Sequence, residues 1–263
     1  MKINQILVTL NTLALLSVLT INALAVLLPI NAMDTGEISL LYPNLFTPAG
    51  ITFSIWSIIY LLLIGFILCQ GFIMHKSYFA ELSLWFILSC VANMSWIFVW
   101  HYLLTGASVV VMIVLLFSLI KIFLLLQTVQ FPTLIEKLFV KLPFTFYFSW
   151  ICVATVANIS ALLVSLHWNG GFLLPQTWTI IMISVAFILA FFISGKYKEP
   201  AYLLVSIWAF LGIYYKWTGT ENNIIAMTAL VALLLLGALF VVLLFRLGRL
   251  NIKSSDSSST SVY

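Results

Sequence analysis

Long apolar runs, broken by short polar or charged segments, set the pattern of this chain. Read between those breaks, they fall at 6–28, 50–74, 82–102, 107–129, 143–166, 177–194, 201–217 and 224–245. Most are about 20 residues long, which is what a helix needs to cross a hydrocarbon core of roughly 30 Å. A membrane β-barrel would instead alternate polar and apolar positions in segments of about ten. The pattern predicts an all-α, polytopic transmembrane helical bundle of about eight spans. The seventh run is short, and Pro200 and Lys216 mark its ends more clearly than its hydropathy does. The first resembles a secretory signal, with Lys2 ahead of it and the small-x-small triplet Ala23-Leu24-Ala25 inside it. Its apolar stretch continues through Pro29, and that favours a retained helix.

The second run opens oddly. In FTPAGITFSIWSIIY, residues 46–60, a proline and a glycine precede the helix, and Thr52, Ser54, Trp56, Ser57 and Tyr60 follow. Polar side chains at bilayer depth need partners, so they collect on surfaces that face protein or a cavity. Phe53, Trp56 and Tyr60 share one helical face, with Ser57 beside them. In the third run Asn93, Trp96 and Trp100 do the same, and in the fifth Trp150, Ala154, Asn158 and Ala161 form a stripe. Asn93 and Asn158 fall near the middle of their spans, where they can bond each other, a ligand, or simply hold helices together. Trp85, Trp168, Trp178 and Trp217 sit near helix ends and read as interfacial belt. Trp56, Trp96 and Trp150 lie deeper. With a tyrosine and two asparagines they describe an aromatic pocket with a few orienting polar groups.

Composition agrees with a membrane protein: 64% of 263 residues are hydrophobic, 7% are charged, and mean hydropathy is +1.21. So few charges cannot cover a soluble surface. The net charge of +4 is explained by placement and not by a nucleic-acid partner. With the N-terminus inside, the cytoplasmic segments hold Lys2, Lys76, Lys137, Lys141, Lys196, Lys198, Arg246, Arg249 and Lys253, and the external ones only Lys216. That asymmetry predicts both termini in the cytoplasm. Lys121 lies within the fourth run, near enough its inner end to snorkel. Membrane lipid is the expected partner, and the serine-rich tail, 251–263, reads as disordered. Cys69, Cys90 and Cys152 fall in separate apolar runs as packing residues. His101 and His167, at external helix ends beside Trp100 and Trp168, read as interfacial residues and not as metal or haem ligands. No nucleophile–base–acid set, glycine loop, paired carboxylate or cysteine cluster occurs. The expectation is therefore no catalytic residue, no bound metal and no enzyme. The sequence shows no internal repeat, which weakens an inverted-repeat transporter.

At these residues the chain resembles the TspO/MBR family, the tryptophan-rich sensory proteins related to the translocator protein. Trp56-Ser-Ile-Ile-Tyr60 is similar to the family's W-x-x-L-Y, and Asn93-Met-Ser-Trp96 to its N-x-x-W. Trp150, Ala154, Thr155 and Asn158 match W-x-x-x-A-T-x-x-N. The resemblance covers about residues 6–168, a five-helix core of 1–170, and leaves an additional three-helix region at 171–250. It implies a cavity that binds porphyrins, other tetrapyrroles or hydrophobic aromatic ligands, often in a homodimer of a bacterial inner membrane. The ligand-binding residues it implies are Phe53, Trp56, Tyr60, Asn93, Trp96, Trp100, Trp150, Ala154, Thr155 and Asn158. Two departures stand out: Phe98 replaces the proline usual after the asparagine, and ALLVSLHW after the fifth helix carries no basic residue for sterol. The leading expectation is a ligand-binding sensor or transport modulator. The alternatives are a small-molecule transporter and, behind it, a tetrapyrrole-modifying enzyme.

Overall fold

Pro48 and Gly50 lie in the connection that precedes the helix of the second run. The computed structural model describes residues 2–28, 30–168 and 170–259. Helix α1 is Lys2–Leu27, and Pro29 lies outside the described residues. A short helix α2, Thr35–Leu40, follows, started by a capping box between Asp34 and Glu37. Asn44 then turns the chain by accepting bonds from the backbone N–H groups of Phe46 and Thr47. A 3-10 turn, Gly50–Ser54, leads into α3, Ile55–Ile73. Next come α4, Phe79–His101, and α5, Thr105–Gln127. The one-turn helix α6, Leu134–Glu136, passes through a π turn, Lys137–Lys141, into α7, Leu142–Ser165. The last three are α8, Pro175–Tyr197, α9, Pro200–Trp217, and α10, Asn223–Ser259. The architecture is an all-α polytopic bundle, with no strand among the described residues. The tail expected at 251–263 falls partly on the end of α10, and 260–263 lie outside the described residues.

Among the described residues seven helices, not eight, are long and apolar enough to cross a membrane by length and composition. The exception is α9. Its 18 residues include Tyr202, Trp208, Tyr214, Tyr215, Lys216 and Trp217, which dilute its apolar character. At 1.5 Å per residue it is about 27 Å long, slightly less than a hydrocarbon core. It still runs the depth of the bundle. At its start Glu199 pairs with Lys141 beneath α7, and at its end Lys216 and Trp217 bond the 45–47 backbone. Burial raises the Glu199 carboxyl above its ordinary range, and Lys141 opposes that rise.

Packing follows chain order only in part. α4 lies between α1 and α5, α7 packs on α5, α3 and α9, and α10 on α9 and α8. At the end of the bundle near Lys141, Phe66, Phe86 and Phe144 meet edge to face at 5.1–5.7 Å. A second knot there is polar: Asn11 donates to Gln70 and Ser83, and Gln70 donates to Thr12 and the Val8 carbonyl. Such groups hold helices together where water is absent, at about 0.6 kcal/mol per bond. The outer faces are apolar, with Leu61, Leu68, Val110, Phe192 and Leu234 exposed as surface for lipid. Lys121 reaches along that surface to the rings of Phe117 and Trp85.

Candidate functional site

A cavity of about 1550 Å³ occupies the half of the bundle that carries α2 and the 42–50 segment. It is larger than common small-molecule pockets, which hold roughly 300–1,000 Å³. α3 contributes Trp56 and Tyr60, one turn apart, with rings stacked at 5.3 Å. α7 contributes Trp150, whose ring meets Trp56 and Phe53 edge-on at 6.3 and 5.7 Å. α4 contributes Trp96 and Trp100, stacked at 5.4 Å and 15°. Met112 and Leu115 of α5 and Met182 of α8 also line it. α2 roofs the site, because Ile38 packs on Trp100 and Ala161.

Two hydrogen-bonded chains fix the aromatic walls. Asn22 donates to Asn93, which donates to the Tyr147 hydroxyl at 3.1 Å. The Trp96 indole donates to Asn158 at 3.1 Å, and Asn158 donates to Ser108 at 2.9 Å. The two asparagines are both buried, but each belongs to its own chain and neither bonds the other. Two polar groups on the wall differ from these. Trp150 Nε1 and the Tyr60 hydroxyl are buried with no hydrogen-bond partner among the described residues. Asn93 is a polar neighbour of Tyr60, yet its bonds run to Asn22 and Tyr147.

Of the residues expected at the site, Phe53, Trp56, Tyr60, Asn93, Trp96, Trp100, Trp150, Ala154 and Asn158 line the cavity. Thr155 does not. Its hydroxyl turns back onto the Ile151 carbonyl within α7. Trp168, Trp178 and Trp217, expected as belt residues, line the cavity mouth, where Trp178 donates to the Gly170 carbonyl at 2.8 Å. Gly170 has φ +83, and a Cβ there would lie 2.7 Å from the Leu173 carbonyl oxygen. His101 is not interfacial: it is fully buried, with its ring nitrogens at 3.0 Å from the Ile30 carbonyl and 3.1 Å from the Thr35 hydroxyl. It ties the connection after α1 to α4, whereas His167 is exposed. Asn22 went unnoticed in the sequence, and Lys216 reads there only as an external charge. A lone amide inside an apolar run was a readable signal for Asn22, but nothing local indicated that Lys216 meets the cavity.

The entry segment forms one wall of the mouth, and α9 holds it. Along one face of α9, Trp208 donates to the Thr52 carbonyl at 2.8 Å and Lys216 to the Thr47 carbonyl at 2.8 Å. Between them the Gly212 carbonyl accepts from Ala49 at 3.2 Å, and Trp217 adds a bond to Leu45 at 2.8 Å. Pro48 cannot donate, and Gly212 leaves room for Thr52 to lie against α9, so this stretch bonds outward to α9 before α3 begins. Among the described residues no cluster of three or more side chains suits a metal ion.

The model of the TSPO-like protein family matches residues 6–243. The chain belongs to that family. The match extends past residue 168, where the resemblance in the motifs ends, and takes in α8, α9 and most of α10. No curated protein and no solved structure matches the chain. Seven apolar helices together with membership make this TSPO-like protein a multi-pass membrane protein.

Proposed function

We propose that this TSPO-like protein binds a planar, largely apolar ligand of the porphyrin or tetrapyrrole class in the cavity, and works as a sensor or transport modulator. The observation that carries the reading is the cavity of about 1550 Å³ walled by two stacked aromatic pairs, Trp56–Tyr60 and Trp96–Trp100. The stacked rings give a flat molecule its contact area. The family is generally non-enzymatic, and binding without turnover fits it. The helices after residue 170 act in this reading as a cap on a five-helix core. The protein sits in a bacterial inner membrane with both termini cytoplasmic, and a homodimer is its working form.

The test is a titration with protoporphyrin in uncharged detergent, following quenching of tryptophan fluorescence. Trp56→Leu and Trp96→Leu should each weaken binding several-fold, since an aromatic contact contributes about 0.5–1.5 kcal/mol. Trp178 lines the mouth and is no control. Trp85, which lies outside the cavity lining and beneath Lys121, serves as one. Equal affinities in all variants, or no saturable binding, would sink the proposal.

A further inference from the structure

We infer that Lys216 makes the cavity selective for an anionic member of that ligand class, a planar apolar body carrying a carboxylate. The inference rests on the reading of the cavity as a ligand site. Lys216 lines the mouth from the last turn of α9 and is half-buried. One of its three donors goes to the Thr47 carbonyl, and its Nζ lies 5.0 Å from the Trp217 ring centre. Neither contact neutralises the charge. The helix C-terminus and the ring both favour a cation, but neither carries a net negative charge.

No carboxylate lies within 4.0 Å of Lys216 among the described residues, where the ion pairs are Lys76–Glu136 and Lys141–Glu199. Two acidic residues share the cavity lining. Asp34 is held by the backbone N–H groups of Gly36 and Glu37 as the cap of α2, and Glu221 is exposed. The mouth therefore presents a desolvated ammonium with free donors beside an aromatic ring. That arrangement suits a carboxylate.

Geometry sets how the ligand would lie. Trp208 bonds Thr52, whose neighbour Phe53 packs edge-on against Trp150, so Trp208 marks the depth of the cavity's aromatic floor. Lys216 comes eight residues later in α9, about 12 Å along the helix. A ligand whose flat body rests on Trp150 and Trp56 reaches Lys216 with an acid group at that distance.

The experiment compares protoporphyrin with its dimethyl ester, which keeps the ring and removes the charge, in uncharged detergent. The wild-type protein should bind the acid roughly tenfold more tightly, the low end of a charge-assisted hydrogen bond. Lys216→Met should abolish that preference, while Lys216→Arg should keep it. If the wild-type protein binds acid and ester equally, the inference fails and the cavity reading stands. Equal weakening of both ligands by Lys216→Met would assign the lysine to holding the entry segment and would overturn the inference. Binding of neither ligand overturns the cavity reading and this one with it.

Discussion

Gly212 is where a single methyl group should have the largest effect for its size. It sits inside α9, and on helix propensity alone Gly→Ala stabilises by about 1 kcal/mol. The contact across the helix face reverses that expectation. A Cβ on Gly212 would lie 1.9 Å from Thr52 Oγ1 and 2.9 Å from its Cβ and Cγ2. Ordinary contact needs about 3.5 Å, so the two segments must part by roughly 1.5 Å. They are not free to do so. Ala49 donates to the Gly212 carbonyl, and Trp208 donates to the Thr52 carbonyl. Separation stretches both bonds, each contributing about 1 kcal/mol. Overpacking of this kind costs about 1–3 kcal/mol, so Gly212→Ala should destabilise by about 2 kcal/mol. Thr52→Ala removes Oγ1 and Cγ2, the first a buried hydroxyl without a partner, and leaves only the Cβ at 2.9 Å. The double variant should recover most of the loss, with a coupling of at least 1 kcal/mol. Thermal unfolding of the four proteins at one detergent and lipid concentration, followed by tryptophan emission, measures it. A Gly212→Ala protein more stable than the wild type, with no coupling to Thr52, would mean that α9 does not seat against the entry segment.

Two further outcomes follow from the same contacts. Asn158→Leu strands the Trp96 indole and Asn93→Leu the Tyr147 hydroxyl, while Ser108 and Asn22 keep their bonds to the Thr105 and Val18 carbonyls; each should lower thermal stability in detergent by about 1–2 kcal/mol, and unchanged melting of both would remove the polar chains as structural ties. Reporter fusions after residues 35, 170 and 220 should all read external, whereas a cytoplasmic signal at 220 would remove α9 as a crossing helix and move the C-terminus to the other side.

Helix existence was legible because lipid imposes it: an apolar run of spanning length has few other folds open to it. The 3.6-residue period also placed Trp56 with Tyr60 and Trp96 with Trp100 on common faces, where their rings stack. What periodicity cannot carry is which face meets which helix. Asn93 and Asn158 sit at similar depth on neighbouring helices, yet their partners are Asn22 and Ser108, set by rotations that hydropathy does not encode. His101 looked interfacial because it ends a helix. The connection after α1 folds over it and buries it, a tertiary fact with no local signature. Lys216 reads in the sequence as an external charge, and nothing local shows that α9 turns it to the cavity mouth.

The bonds between α9 and the entry segment also order events in time. Trp208 to Thr52, Lys216 to Thr47 and Trp217 to Leu45 join residues 156, 169 and 172 positions apart. A ribosome adding about 5–20 residues per second needs roughly 8–30 s to cover that gap. Through that interval α1 and α3 to α5 can enter the bilayer and pair, but residues 45–52 have no α9 to receive their backbone groups. One wall of the cavity is thus left to water, lipid or a chaperone until α9 arrives. The cavity is completed by the late helices, so a chain stopped after α7 carries most of its aromatic side chains and lacks the element that closes them in.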